Sequence, residues 1–162
     1  MIMAKRSIFY SFHFDNDVMR VQQVRNMGVV EGNEPVNPNT WEQVKGRGKA
    51  AVEQWIEDNM KGKSCCICLI GSETHTRPWV DYEIKKAWKD KKGLLGIHIH
   101  NLVAPRVGKS TKGKNPFDAI KFTQGGQKVV PACYDPSASD AYNDIAANLS
   151  RWVEAAIKQQ GG

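Results

Sequence analysis

Residues 64–84 read Ser64-Cys65-Cys66-Ile67-Cys68-Leu69-Ile70-Gly71-Ser72, then Glu73-Thr74-His75-Thr76-Arg77, then Pro78-Trp79-Val80-Asp81-Tyr82-Glu83-Ile84. The apolar run does not alternate with polar residues, which is the pattern of a strand covered on both faces. Gly71 and Ser72 end it. Pro78 suits the first turn of a helix, where its missing N–H would have no partner in any case. That helix is expected from about Arg77 to Lys91, burying Val80, Ile84, Ala87 and Trp88.

The same strand-then-helix rhythm extends in both directions. Upstream, Ser7 to Phe12 is a β-branched and aromatic strand, and Asp15, Asn16 and Asp17 are expected to cap a helix over about Val18 to Asn26. Met27 to Val30 reads as a short strand and Gly32 to Thr40 as a loop. Val44, Val52, Trp55, Ile56 and Met60 then mark one helix from Val44 to Met60. Downstream, Gly93 to His98 and Lys128 to Cys133 read as the fourth and fifth strands. A long amphipathic helix follows over about Ser139 to Gln159. Alternating strands and helices imply an α/β fold, best fitted by a flavodoxin-like five-stranded parallel sheet with helices on both faces. Such sheets bind ligands at the carboxyl ends of their strands, here the loops after Phe12 and Ile70.

The 162 residues suffice for a single domain spanning 1–162. The longest apolar run, Cys65 to Ile70, is far short of the roughly 20 residues of a membrane-spanning helix, so no membrane partner is expected. Met1 to Arg6 lacks the apolar stretch of a secretory signal, and Cys65, Cys66 and Cys68 cannot bridge one another within one strand. Free thiols and a cytoplasmic location are the expectation. The formal net charge is +6, but six basic residues against the single acid Asp118 lie between Pro105 and Lys128, leaving +1 elsewhere. The excess charge therefore belongs to a basic loop insertion at about 100–128, read either as a solvated loop or as an arm reaching for phosphates or an acidic partner. Its lysines are not interleaved with an aromatic ladder, which disfavours nucleic acid.

Familiar motifs fail on inspection. Gly108-Lys109-Ser110 resembles the end of a phosphate-binding loop, but Val103 stands where the first glycine is needed. No G-x-G-x-x-G follows a strand, and Leu69-Ile70-Gly71-Ser72 lacks the aspartate of a phosphoacceptor receiver. His98 and His100 have no evident third ligand, so no metal is expected. What remains is Glu83, about 60° around its helix from Val80 and about 40° from Trp79. A carboxylate is thereby placed beside an indole at the rim of the core.

Two blocks carry a family resemblance. Ile8-Phe9-Tyr10-Ser11-Phe12 followed by Asp15-Asn16-Asp17 is similar to the first strand and polar loop of TIR domains. Trp79-Val80-Asp81-Tyr82-Glu83-Ile84 resembles their W-C-x-x-E-L helix, with Gly71, Ser72 and Thr74 matching the preceding loop of the TIR-like subunit of bacterial Thoeris anti-phage systems. Arg77 and Val80 replace the usual serine and cysteine but leave the glutamate in register, and the basic insertion has no counterpart in typical TIR domains.

The resemblance implies NAD as substrate rather than cofactor, with Glu83 as the catalytic residue. Ser11, Phe12, His13, Asp17, Ser72 and Trp79 are implied around the nucleotide. It implies cleavage of the nicotinamide–ribose bond, release of a cyclic ADP-ribose-type signal to a partner effector, and sites that two protomers of a homo-oligomer can complete together. The competing reading is a non-catalytic TIR adaptor acting by protein–protein association.

Overall fold

The computed structural model of the protein describes residues 5–32 and 38–161. In chain order its elements are β1 (Ser7–Ser11), α1 (Phe14–Asn26), β2 (Glu31–Gly32), α2 (Pro38–Gly46), α3 (Lys49–Met60), β3 (Cys65–Ile70), α4 (Pro78–Lys89), β4 (Gly93–His98), β5 (Phe122–Gln124), β6 (Gln127–Val129), β7 (Cys133–Tyr134) and α5 (Ala141–Gln159). The main sheet has the order β2-β1-β3-β4-β7, every pair parallel. This is the flavodoxin-like strand order, with helices on both faces.

The two layers explain why the β3 sequence does not alternate. Cys65, Ile67 and Leu69 pack with Val21 and Val24 of α1 and Ile145, Leu149 and Val153 of α5. Cys66, Cys68 and Ile70 turn the other way, onto Val52, Ile56 and Met60 of α3 and Val80, Ile84 and Ala87 of α4. Both sets are lost to water, so both must be apolar. The thiols are free and buried in this strand.

Several expected boundaries move. Helix α1 starts at Phe14, so Asp15, Asn16 and Asp17 form its first turn instead of capping it, and the Asp17 N–H donates to the His13 carbonyl at 3.0 Å. Acidic residues are favourable there because they face the positive end of the helix dipole. The second strand is Glu31–Gly32 rather than Met27 to Val30, which serves as an apolar connector packed on the core. A side chain at Gly32 would run into the Tyr10 ring, 2.0 Å from an added Cβ.

The loop expected over 32–40 lies partly outside the described residues, and its end is already helical from Pro38. The single helix expected over 44–60 is two, broken at Gly48, whose φ of +101° belongs to glycine. The fifth strand is not Lys128 to Cys133. Gly125 and Gly126, at φ +59° and +80°, fold Gln127–Val129 back antiparallel on Phe122–Gln124, and only Cys133–Tyr134 joins the main sheet. Two consecutive left-handed glycines favour a tight hairpin turn, and Pro131 has no N–H to continue a ladder.

The basic insertion is not a simple solvated loop. Its lysines point outward, but Phe117 and Phe122 are each 2% exposed and pack in the α3/α4 layer of the core. Lys112 pairs with Asp135 at 2.7 Å and Lys109 donates to the Ala138 carbonyl. Gly113 lies so close to the end of β3 that an added Cβ would stand 2.1 Å from the Gly71 carbonyl oxygen. Phe117→Ala should therefore destabilise the fold by about 3–5 kcal/mol, the usual cost of emptying a buried aromatic site. Urea unfolding measures it, and a loss below about 1 kcal/mol would show that the insertion is not part of the core.

Candidate active site

Strand β1 ends beside β3 with Ser11 fully buried, because its central position leaves no water at either face. Helix α4 lays Val80, Ile84 and Ala87 on the sheet, and that packing turns Glu83 toward the end of β1. The Ser11 hydroxyl donates to Glu83 Oε1 at 2.7 Å. The carboxyl group is 8% exposed, and burial pushes its pKa up to about 8, against the smaller opposing pull of the Ser11 hydrogen bond. Burial also holds the neighbouring Cys66 and Cys68 thiols well above their ordinary range, and ionisation of Glu83 raises them further, so both stay protonated.

Above Glu83 opens a cavity of about 190 Å³. Phe9, Tyr10, Phe12, His13, Phe14 and Asp15 form the wall contributed by β1 and α1. Arg77, Pro78, Trp79 and Val80 form the α4 side, and Trp41, Lys45 and Trp55 close it from α2 and α3. Trp41 and Trp55 sit 5.4 Å apart, centroid to centroid, and the Lys45 ammonium lies 5.6 Å from the Trp41 ring centroid. Burial, with Arg77 nearby, lowers the pKa of His13, so its imidazole is neutral at pH 7. The site thus offers a buried carboxyl floor and mostly aromatic walls, suited to a flat ring that carries positive charge.

Of the residues singled out in the sequence, Phe12, His13 and Trp79 come together with Glu83 around this cavity, and Ser11 anchors it from below. Asp17 and Ser72 do not line it. Because α1 begins early, Asp17 is carried into the helix and buried under Gly71, where Arg20 approaches it at 3.5 Å. Desolvation raises the Asp17 pKa to about 6. Ser72 is half-buried, with its carbonyl against Gly113. His98 and His100 are buried with ring centroids 5.9 Å apart, and burial lowers the pKa of both.

Sequence reasoning missed Trp41 and Lys45, and it assigned Trp55 only to a core stripe. The available signal was the Gly46-Arg47-Gly48 break, which folds α2 back along α3 and brings the two indoles together.

Residues 9–104 match the family described as Thoeris protein ThsB, TIR-like domain. The chain belongs to this family. It is also 31% identical over 151 residues to a Bacillus cereus (strain MSX-D12) protein that carries the name of a proposed cyclic ADP-D-ribose synthase, ThsB1. That alignment covers 89% of this chain and 78% of the relative. The ThsB match includes Ser11, Glu83 and every wall of the cavity, and it stops at Ala104, just before the basic stretch.

The Glu83 environment gives a stability signature. Its carboxyl is neutral in the fold up to about pH 8 but ionises near 4.5 when the chain unfolds. The fold therefore binds the extra proton, and the stability this confers is present at low pH and is lost as pH rises through about 8. Glu83→Gln removes the ionisation, so its melting temperature relative to the native protein should increase between pH 5 and pH 9. Parallel thermal melts across that range check this, and parallel curves would refute the buried, protonated state.

Proposed function

We propose that this chain is an NAD-processing enzyme of anti-phage defence. It cleaves the nicotinamide–ribose bond and forms a cyclic ADP-ribose-type nucleotide that acts on a separate effector protein. The observation that carries this reading is the Ser11-anchored carboxyl of Glu83 at the floor of an aromatic cavity. The name borne by the Bacillus cereus relative supports the same chemistry.

The nicotinamide ring of NAD is flat and cationic, and a cavity of about 190 Å³ has room for about one such ring, since roughly 150 Å³ accommodates benzene. Trp79 and Phe12 offer it stacking faces. Its fixed positive charge beside Glu83 favours the ionised carboxylate, so NAD binding at pH 7 releases the Glu83 proton. When the glycosidic bond breaks, its electron pair passes to the ring nitrogen and neutralises the ring, leaving positive charge on the ribose. The Glu83 carboxylate stabilises that cation electrostatically. A second nucleophile of the same molecule, an adenine nitrogen or a ribose hydroxyl, then attacks the sugar and loses one proton, closing the cyclic product. Water attacking instead would give ADP-ribose and a proton, and the aromatic walls suppress this by excluding solvent.

Purified protein incubated with NAD, with phage-infected lysate supplied as trigger, should release nicotinamide and a nucleotide of ADP-ribose mass less one water, read by mass spectrometry. Glu83→Gln should lower turnover by about 100-fold or more, as for loss of a transition-state charge partner, and full turnover by this variant would sink the assignment. Because Glu83 must ionise, kcat/KM should rise with pH toward a plateau above about 8. Ser11→Ala removes the hydroxyl that holds this pKa down, so its profile should shift to higher pH. An unshifted profile would remove Ser11 from this role.

A further inference from the structure

We propose that an open groove along α4 holds the diphosphate half of the dinucleotide, with Lys49 and Lys89 as its charged contacts; this rests on the NAD reading above. The Glu83 cavity, at about 190 Å³, is smaller than the roughly 300–1,000 Å³ of sites that enclose a whole small ligand. Most of a dinucleotide must lie outside it. A groove of about 770 Å³ adjoins the cavity, and Pro78 and Trp79 are walls of both. It follows α4 from Trp79 to Lys89, about 15 Å at the helical rise.

The charge of the groove matches a diphosphate. It is lined by four lysines, Lys49, Lys85, Lys86 and Lys89, and by the acids Asp81 and Asp90. Lys85 pairs with Asp81 at 2.8 Å, and Lys86 lies between Asp90 at 2.9 Å and Glu57 at 4.0 Å, so neither of these lysines is free. Among the described residues Lys49 and Lys89 make no ion pair, so these two ammonium groups of the groove lining are free to meet the negative charges of a diphosphate. Lys49 also opens α3, whose N-cap Gly48 supplies no side-chain cap, adding the positive end of that helix to the same corner.

Arg77 lines the cavity itself, next to the Pro78 that both hollows share, and adds to the same positive field. Lys45 instead pairs with Glu42 at 2.8 Å. Lys109 and Lys112 of the basic insertion are tied to Ala138 and Asp135 and line neither hollow. The phosphate-reaching role left open for the insertion therefore passes to the α3/α4 side.

The test is the double variant Lys49→Glu/Lys89→Glu, both positions being exposed, with a thermal melt to establish that it folds. Its KM for NAD should rise about tenfold with kcat within about twofold, and calorimetry with ADP-ribose should show a matching loss of affinity. An unchanged KM and an unchanged ADP-ribose affinity would overturn the proposal. If the native protein consumes no NAD, the cleavage reading fails by itself, and the ADP-ribose titration still decides the groove. Binding that the double variant loses upholds it; no binding by the native protein, or equal binding by both, refutes it.

Discussion

A single hydrogen bond, from the Ser11 hydroxyl to Glu83, joins the end of a buried strand to a helix that packs across the sheet. A carboxyl group so deeply buried is costly unless it is neutral or well supported, and here one hydroxyl supplies the support. Both partners have to arrive in register. Ser11 is placed by the pairing of β1 with β3, residue against residue from Ile8 with Cys65 to Ser11 with Cys68. Glu83 is placed by the three apolar contacts of α4 on the face of the sheet to which the Ser11 side chain points. The site is thus an output of sheet register and helix packing together.

This dependence explains what could be read from the sequence. β3, β4 and α5 were legible because their apolar patterns are long and cover either both faces of a strand or one continuous stripe of a helix. Glu83 was legible from its helical offset to Trp79 and from the block around it. Boundaries decided by backbone conformation were not. The early start of α1 turned Asp17 away from the cavity, the Gly48 break hid the Trp41/Trp55 pair, and the Gly125-Gly126 turn converted an expected sheet strand into a separate hairpin. In each case the periodicity of the side chains was read correctly or nearly so. The left-handed glycines and the first helical turn carry no periodic signal.

The distribution of charge also acquires a physical meaning. Most of the net positive charge sits on the insertion, yet two of its lysines are satisfied locally, while two of its phenylalanines anchor it in the core. The segment beyond the family match is therefore a structural cover over the carboxyl ends of β3 and β4, closely fitted at Gly113 against Gly71.

The two faces of the sheet are completed by different parts of the chain. The face bearing the cavity is covered by α3 and α4, which flank β3 in sequence, whereas α1 covers only part of the opposite face and the rest stays open until α5 lies across β3 and β4. Gly93 fits beneath the backbone of Ile157, and Tyr134 stacks on Trp152 at 4.2 Å, so this last helix docks on a surface that already exists. During synthesis from the N-terminus, the layer around Glu83 can assemble first. A wide apolar face then waits, in need of protection from aggregation, until Ile145, Leu149 and Val153 emerge to seal it.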